Sequence, residues 1–302
     1  MKQHKVSVCI PAFESPEYLI RAINSVLNQD YSNYEVIVTD DSRTEDTYRA
    51  LLQNGLIDKI KYTRNPFQMG SPLNWNKCIS LSSGYYIKIL HQDDWLSTSK
   101  ALTTYVETLE ANNVDIVFSA INNVDYLTDK TTLHQLSNKK INSIFSNPYI
   151  LYCGNLLGQP STILYKASLS VEFDPLLKWL VDIEFYIKIL VEGKGFYISA
   201  PLVFGNKGDP SQITNACVNN KKIQVYEFVY LYQKINKALN TKTLSKCNNV
   251  LLKIFARFGI KNELQLEEIG CNELMISSVN GLLKKCWRFT LLFKLKKIIW
   301  FK

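Results

Sequence analysis

The stretch "KVSVCIPAFESPEYLIRAINSVLNQDYSNYEVIVTDDS", residues 5–42, decides the fold. Residues 5–10 and 34–39 are short apolar runs, which are typical of buried strands. Between them, after the Ser15-Pro16 pair, apolar residues recur three and four positions apart, which predicts an amphipathic helix capped by Ser15. This order of strand, helix and strand predicts a β-α-β unit with parallel strands.

The alternation of strands and helices continues beyond this unit. Apolar runs at 59–64, 85–90 and 114–121 predict three further strands. A second Ser-Pro pair starts a predicted helix that closes on Gly84, and another helix is predicted over about 98–112. Strands that are continuous apolar runs favour a parallel sheet covered by helices on both faces. The predicted fold class is therefore α/β.

The later part of the chain is less regular. Residues 122–160 are mostly polar, which predicts an insertion or loop with a short helix near 147–157. Strands are predicted at 161–166 and 195–204, with a helix at 177–193 between them. The predicted organisation is a domain over 1–220, with halves at 1–120 and 121–220, followed by a helical region over 221–302.

The composition excludes several classes of protein. With 302 residues, 46% of them hydrophobic, the chain can bury a large core, so it is neither disordered nor fibrous. The seven cysteines form no C-x-x-C pair, so neither a zinc site nor a disulfide framework is predicted, and ordinary thiols in a reducing compartment are expected. The N-terminal apolar run, broken by Pro11, is too short for a signal peptide, and no run is long enough to span a bilayer. A soluble or peripheral protein is expected.

Positive charge is concentrated at the C-terminus. The chain carries a net charge of +8, and residues 281–302 contain seven cations and no acid. These cations are mixed with Trp, Phe and Leu, which is typical of a helix lying in a membrane interface. The alternative is a terminal helix packed on the body with a solvated basic stripe, and no motif for reading nucleic acid is present. The tail thus predicts a cytoplasmic protein that is peripheral on the inner face of the cytoplasmic membrane.

A short segment with one or more polar residues follows each of the first four predicted strands. These segments are "PAFE" (11–14), "DDS" (40–42), "RNP" (64–66) and "HQDD" (91–94). Because ligands of an open parallel sheet bind outside the carboxyl ends of its strands, these residues are expected to line one site. Gathered carboxylates raise one another's pKa unless a cation lies among them, and oxygen ligands suit Mg²⁺ or Mn²⁺. The pattern favours a nucleotide diphosphate bound through a metal ion. Neither G-x-G-x-x-G nor a Walker-type loop is present, which disfavours a dinucleotide oxidoreductase and a P-loop nucleotidase.

Two stretches resemble a known family. Residues 6–42 and "GSPLNWNKCISLSSGYYIKILHQDDW" (70–95) are similar in order and spacing to the N-terminal half of the family 2 glycosyltransferases, and a weaker similarity resumes at 158–190. The resemblance implies the GT-A fold: a nucleotide-binding, mostly parallel sheet flanked by helices, here with a helical C-terminal extension. It implies an inverting transferase of the bacterial cell-surface polysaccharide type, which moves a sugar from a nucleotide diphosphate to an acceptor with the help of Mn²⁺ or Mg²⁺. Residues 1–120 would then be the nucleotide-sugar half of the catalytic domain and 121–220 the acceptor half.

The resemblance also implies roles by position. Phe13 stands where the family often has a tyrosine that stacks on the base, and its ring keeps that stacking face. Asp40 falls where the family's first Asp accepts the imide N–H of uracil or thymine, and Arg64 is placed to approach the diphosphate. Asp93 is expected to face the ribose or the metal, and Asp94 to ligate the metal. The implied nucleotide-binding residues are Pro11, Ala12, Phe13, Glu14, Asp40, Arg64 and Asp93.

Two acids in one predicted helix are candidates for the base that an inverting transfer needs. Glu184 has Lys188 four residues later, the favourable order for a surface ion pair. Asp182 has Trp179 three residues before it, an aromatic side chain suited to a sugar face. The family's base is an acid at the start of this helix, so Asp182 is the predicted base. Trp179 and Gln159 are predicted to contact the acceptor.

The substrates follow from the resemblance only in part. A UDP-sugar is favoured as donor, with a dTDP-sugar as the alternative, and a hexosyl or N-acetylhexosaminyl group would pass to a saccharide or lipid-linked saccharide. Gln92 departs from the residue usual in the family, so no direct metal role is expected for it.

Two other interpretations stay open. One is a nucleotidyltransferase, although the Gly-rich basic loop usual for that class is absent, and the other is a catalytically silent, membrane-docked binding subunit.

Overall fold

The computed structural model describes residues 4–210 and 212–295. The strands are β1 (Val6–Ala12), β2 (Tyr34–Asp40), β3 (Lys61–Arg64), β4 (Tyr86–Ile89), β5 (Trp95–Leu96), β6 (Ile116–Asp125), β7 (Thr131–His134), β8 (Ile163–Lys166) and β9 (Gly195–Lys207). The helices are α1 (Pro16–Leu27), α2 (Asp46–Gln53), α3 (Ser71–Ser80), α4 (Ala101–Ala111), α5 (Asn138–Ser146), α6 (Val181–Glu192), α7 (Ile213–Cys217), α8 (Lys221–Ile235), α9 (Thr241–Phe258), α10 (Glu263–Glu267) and α11 (Glu273–Leu295).

The strands of the described residues form one nine-stranded sheet. Its order is β3-β2-β1-β4-β8-β6-β9-β5, with β7 paired to β6. Strands β1 to β4 are joined by parallel pairings, as the alternation of strands and helices predicted. Strand β8 then runs antiparallel to both β4 and β6, whereas β6 and β9 run parallel. The α/β prediction is confirmed, and the second half of the sheet adds antiparallel pairs to the parallel first half.

Strand register brings the ends of the first three strands into one row. Ala12 pairs with Asp40, and Asp40 pairs with Arg64. Every residue of β1 is buried, because apolar side chains of the flanking helices, such as Leu19 and Ile23, pack against the sheet. The residues that follow these strands therefore emerge along a single edge.

The turn between β1 and α1 differs from the predicted cap. Glu14 and Ser15 have φ angles of 53° and 48°, in the left-handed region. The Ser15 side chain makes no capping hydrogen bond, and its carbonyl accepts from the Tyr18 N–H at 3.1 Å instead. Helix α1 still begins at Pro16, because the fixed φ of proline suits the first helical turn.

Two further predictions of local structure are corrected. Helix α3 begins at Ser71 as predicted but ends before Gly84. A Cβ at Gly84 would lie 2.6 Å from the Ser7 nitrogen, so the glycine permits a close approach to β1 rather than ending a helix. In place of the short helix predicted over 147–157, a 3₁₀ turn spans Pro148–Cys153.

The chain divides into two compact units. One comprises Met1–Pro148, Leu156–Pro175 and Phe185–Pro210, and the other comprises Tyr149–Asn155, Leu176–Glu184 and Ser211–Lys302. The first unit contains the whole sheet. In the second, α8, α9 and α11 pack together through buried side chains such as Val229, Phe255 and Val279. The domain boundary expected near residue 221 stays a prediction. Of the helices in the described ranges, none combines the length and the apolar character needed to cross a bilayer.

A charged cluster joins the beginnings of the first strands. The Glu35 carboxylate accepts from Lys5 at 2.9 Å, Lys61 at 2.5 Å, the Ser7 hydroxyl at 2.5 Å and the Ser83 N–H at 2.8 Å. Burial raises the pKa of Glu35, but the hydrogen bonds from Lys61, Ser7 and Lys5 outweigh it and hold the pKa well below its usual range. The ionised carboxylate therefore stabilises the folded state.

We expect Glu35→Gln to lower the free energy of unfolding by about 1–3 kcal/mol at neutral pH, since charge-assisted hydrogen bonds are lost. A carboxyl whose pKa is depressed on folding stabilises above its unfolded pKa, here near 4.5, and loses that contribution as the pH falls. Urea unfolding at about pH 7 and about pH 3.5 should therefore show a smaller difference from wild type at the acid pH. The exposed Glu107→Gln is the control. An equal loss at both pH values would contradict the electrostatic origin.

Candidate active site

The loops that follow β1 and β4 are bonded to each other. The Gln92 side chain accepts from the Phe13 N–H and donates to the Phe13 carbonyl, both at 2.8 Å. Pro11 and Ala12 are the buried last residues of β1, and the Phe13 ring is 39% exposed. Gln92, for which no metal role was expected, thus fixes the backbone of the first loop and leaves an aromatic face in solvent.

The residue after Phe13 connects the first loop to the second. The Glu14 N–H donates to the Ser42 hydroxyl at 2.6 Å, and its carboxylate accepts from Arg43 at 2.6 and 3.0 Å. The hydrogen bonds from Arg43 lower the pKa of Glu14. The Arg43 guanidinium carbon lies 6.0 Å from the centre of the Phe13 ring. An exposed aromatic and a cation are therefore presented side by side.

The two acids at the end of β2 are both buried and both bonded to protein donors. Asp40 accepts from the Ser42 N–H at 2.9 Å and, through its other oxygen, from the Tyr62 hydroxyl at 2.6 Å. Asp41 accepts from the Met69 N–H at 2.8 Å and the Gly70 N–H at 2.9 Å. Each carboxylate holds a loop in place. The role of Asp40 towards a base imide stays a prediction.

A pocket of about 470 Å³ opens beside these loops. Arg64 donates to the Arg43 carbonyl at 3.1 Å and lies 3.6 Å from Glu45, while its buried Nε has no protein acceptor among the described residues. Phe67 is 69% exposed at the pocket. The pocket thus combines two guanidinium groups with an aromatic side chain, a chemistry that suits an anionic ligand with a flat ring. Its lining is Ser42, Arg43, Arg64, Asn65, Pro66, Phe67 and Gln68.

Asp94 is the most deeply buried acid of the loop after β4. Its side chain is 1% exposed, and one oxygen accepts from Gln159 at 3.1 Å and from the Asn206 N–H at 3.3 Å. The other oxygen is buried and has no protein donor in the described part of the chain. Burial, followed by the charge of Asp93, raises the pKa of Asp94 to about 8. A cation at this oxygen would favour the ionised form.

Two cations that sequence reasoning missed accompany the acidic pair. Lys88 lies wholly buried in β4, donates to the carbonyls of Ser161 and Ile163, and interacts electrostatically with Asp94. Burial lowers the pKa of Lys88 to about 7, and the Asp94 charge opposes this shift. Arg21 donates to the Asp93 carbonyl at 2.9 Å. The sequence could have indicated Lys88, because a lysine inside the apolar run at 85–90 is unusual.

His91 completes a group of three potential metal ligands. One ring nitrogen of His91 and one oxygen from each of Asp93 and Asp94 lie within 4.8 Å of one another. The His91 ring packs 4.6 Å from that of Trp75, and its buried Nε2 has no partner within the described ranges. Imidazole nitrogen and carboxylate oxygen are both ligands of Mn²⁺, so these residues fit a divalent cation.

Asp182 lies in the second unit, at the start of α6. One of its oxygens is buried and unpaired among the described residues, and burial raises the pKa of Asp182 to about 7. Just before the helix, the N–H groups of Lys178, Trp179 and Leu180 each donate to the Glu227 carboxylate at 2.8 Å. Glu227, which sequence reasoning missed, therefore fixes the segment that carries Trp179 and leads into Asp182.

Glu184 differs from its expected surface position. Its side chain is 1% exposed and pairs with Lys234 of α8 at 2.5 Å. The Lys188 ammonium donates to the Glu172 carbonyl at 2.5 Å. Glu184 is therefore a buried ion-pair residue of the helical unit.

Residues 7–170 match the profile of the family described as Glycosyl transferase family 2, which is more than half of the chain. The chain belongs to glycosyl transferase family 2. A curated relative from Escherichia coli, UDP-Glc:alpha-D-GlcNAc-diphosphoundecaprenol beta-1,3-glucosyltransferase WfaP, is 28% identical over 157 residues, which cover 50% of this chain and 55% of the relative. The chain thus spans only about half the length of this relative.

Solved structures show the fold of this family 2 chain. The crystal structure of S. aureus TarS 1-349 in complex with UDP-GlcNAc aligns with a TM-score of 0.65 at 16% identity, covering 95% of this chain and 88% of that one. The mannosyltransferase PcManGT from Pyrobaculum calidifontis, in complex with GDP-Man and Mn²⁺, aligns with a TM-score of 0.55 at 14% identity, covering 97% and 88%. The GT-A fold expected from the sequence is confirmed.

Gly205 provides the space in which Gln159 reaches Asp94. A Cβ at Gly205 would lie 2.1 Å from the Gln159 Nε2 and 2.8 Å from Ile121. We expect Gly205→Ala to lower the free energy of unfolding by about 1–3 kcal/mol, because the added methyl overpacks this contact. In the double variant Gly205→Ala with Gln159→Ala the two losses should be less than additive, because the shortened side chain makes room. Thermal unfolding of the four proteins measures this coupling. Strict additivity would contradict the proposed contact.

Proposed function

We propose that the chain is an inverting glycosyltransferase that moves a sugar from a nucleotide diphosphate sugar to a saccharide or lipid-linked saccharide in bacterial surface polysaccharide synthesis. The observation that carries this proposal is the family match over residues 7–170, whose strand-end loops converge on one edge of the sheet. By its name, the Escherichia coli relative is a glucosyltransferase that uses UDP-Glc and an undecaprenol-linked acceptor.

The donor is proposed to bind in the loops after β1, β2 and β3. Phe13 supplies an exposed ring for stacking on a base, and Arg64 has a buried N–H without a protein acceptor among the described residues. Pro11, Ala12 and Glu14 shape this loop, and Asp93 faces the ribose or the metal. A UDP-sugar is favoured over a dTDP-sugar, since the name of the relative and the ligand of TarS both contain UDP.

Metal dependence is part of the proposal, with Mn²⁺ or Mg²⁺ held by Asp94 and its neighbours. The buried, unpaired oxygen of Asp94 and the neighbouring Asp93 and His91 support this assignment within the described residues. When bound, the ion would supply positive charge that stabilises the departing diphosphate. Lys88 and Arg21 offset part of the charge of the acidic pair and thereby reduce the repulsion between the two carboxylates.

Asp182 is proposed as the base that takes the proton of the acceptor hydroxyl. A pKa near 7 suits this task, because the group is partly ionised at neutral pH and still basic enough to accept a proton. Glu227 holds the backbone ahead of α6 and so limits the movement of Asp182. Trp179 and Gln159 are the proposed acceptor contacts.

A peripheral position at the membrane would bring the enzyme close to a lipid-linked acceptor. Lys284 and Lys285 are exposed on α11, as a basic interfacial helix requires. The last residues of the tail, 296–302, lie outside the described residues. The membrane-binding role of 281–302 stays a prediction.

We expect the full chain to release UDP from one member of a panel of UDP-sugars only when a saccharide or lipid-linked acceptor is present. Asp182→Asn should lower transfer by about 10²- to 10⁴-fold, because the proton acceptor is lost, while donor affinity measured by calorimetry stays unchanged. The matched control is Glu192→Gln, an exposed acid on the same helix. Near wild-type turnover of Asp182→Asn would contradict the assignment, and donor binding without any transfer would favour a silent binding subunit.

The rate should also depend on pH through Asp182. Because the base must be ionised and burial raises its pKa to about 7, kcat/KM is expected to rise with pH and to level off above about 7. Saturating Mn²⁺ during the assay keeps the raised pKa of Asp94 from adding a second transition. A flat profile from about pH 5.5 to 8.5 would refute a base with this pKa.

A further inference from the structure

His91 lies in the sequence position directly after the end of the apolar run that forms β4, three residues before the buried Asp94. A ring nitrogen of His91 and one oxygen from each of Asp93 and Asp94 share a space no more than 4.8 Å across. Ligand atoms of an octahedral ion with bonds of about 2.1 Å lie about 3 to 4.2 Å apart. Small side-chain rotations therefore suffice to bring the three atoms onto one ion.

Two of these side chains have buried polar atoms whose hydrogen-bonding capacity is unused within the described ranges. They are Nε2 of His91 and one carboxylate oxygen of Asp94, whose side chain is 1% exposed. A polar atom that is buried without a partner destabilises the folded state, because it has lost its hydrogen bonds to water. A cation that bound both residues would offset a cost that the protein alone leaves in place.

The imidazole is held in position by its neighbours. Its ring contacts Trp75, whose own ring meets Phe173 edge-on at 4.9 Å. The His91 backbone N–H donates to the Ser161 hydroxyl at 2.9 Å. Positional constraint of this kind is what a metal ligand needs, because a ring that is already ordered loses little entropy on binding.

Charge also favours a neutral third ligand. Asp93 and Asp94 bring two negative charges, and a divalent cation balances them. A third carboxylate would add repulsion in a site that is already buried, whereas a neutral imidazole adds a donor atom without charge.

We propose that His91 is a nitrogen ligand of the metal and that it makes the site select Mn²⁺ over Mg²⁺. This inference rests on the proposed function, which requires a divalent cation but does not by itself distinguish the two ions. Mg²⁺ prefers oxygen ligands, whereas imidazole suits the transition metals. The proposed set is one nitrogen and two carboxylates, which leaves the remaining positions for water and diphosphate oxygens.

The test uses the full chain labelled with ¹⁵N-histidine, loaded with Mn²⁺ and UDP, and examined by pulsed EPR. We expect a nitrogen modulation of the Mn²⁺ signal with the ¹⁵N frequency, which identifies a protein histidine rather than the nucleotide. His91→Phe, which keeps a ring against Trp75, should abolish the modulation, whereas the control His134→Asn should retain it. Mn²⁺ bound to the wild-type chain without ¹⁵N modulation would overturn the proposal, and so would a modulation that survives in His91→Phe.

Selectivity is tested separately by calorimetry. His91→Asp replaces the nitrogen by oxygen, so the ratio of Mn²⁺ to Mg²⁺ affinity should fall by about tenfold or more. An unchanged ratio in this variant would overturn the selectivity. Neither measurement depends on turnover, so sugar transfer by a chain that shows no nitrogen ligation would refute the role of His91 and leave the proposed function intact. Absence of transfer together with nitrogen-ligated Mn²⁺ would support the role of His91 and refute the proposed function.

Discussion

The site depends on one constraint. The two adjacent negative charges of Asp93 and Asp94, after the end of β4, must be compensated by positive charge. Asp94 is buried, and its neighbour Asp93 raises its pKa further, so the pair is costly without positive charge nearby. Lys88 approaches from within the sheet, and Arg21 reaches the Asp93 backbone from α1. Burial lowers the pKa values of both cations, and Lys88 is wholly buried. The protein therefore compensates only part of the negative charge of the two carboxylates, and a divalent cation would compensate the rest.

Hydrogen bonds between neighbouring loops give the site a defined surface. Gln92 holds the first loop by two hydrogen bonds of 2.8 Å, and the Ser42 hydroxyl joins that loop to the second. Asp41 fixes the third loop through backbone N–H groups. Because every link is a short bond between adjacent strand ends, the pocket beside Arg64 is shaped before any ligand binds. Such pre-organisation lowers the cost of binding.

In the second unit, hydrogen bonds likewise fix the backbone that leads into Asp182. Glu227 accepts three N–H groups that precede α6 and would otherwise lack partners within the helix. Its charge suits the positive end of the helix dipole. Asp182 follows in the first turn, where burial raises its pKa. The proton affinity proposed for the base is thus a property of packing, and no local sequence pattern encodes it.

The sequence by itself determined the parallel half of the sheet and the starts of α1 and α3, because apolar periodicity and the conformation of proline act over a few residues. It also determined which polar residues follow the strands, and the similarity of these stretches identified the family. Only the tertiary structure decided that Gln92 holds a loop, that Lys88 is buried and interacts electrostatically with Asp94, and that Glu184 pairs with Lys234. It likewise showed that Gly84 and Gly205 permit close approaches. These contacts join residues that are distant in sequence, and their energies depend on burial and distance, which exist only once the chain has folded.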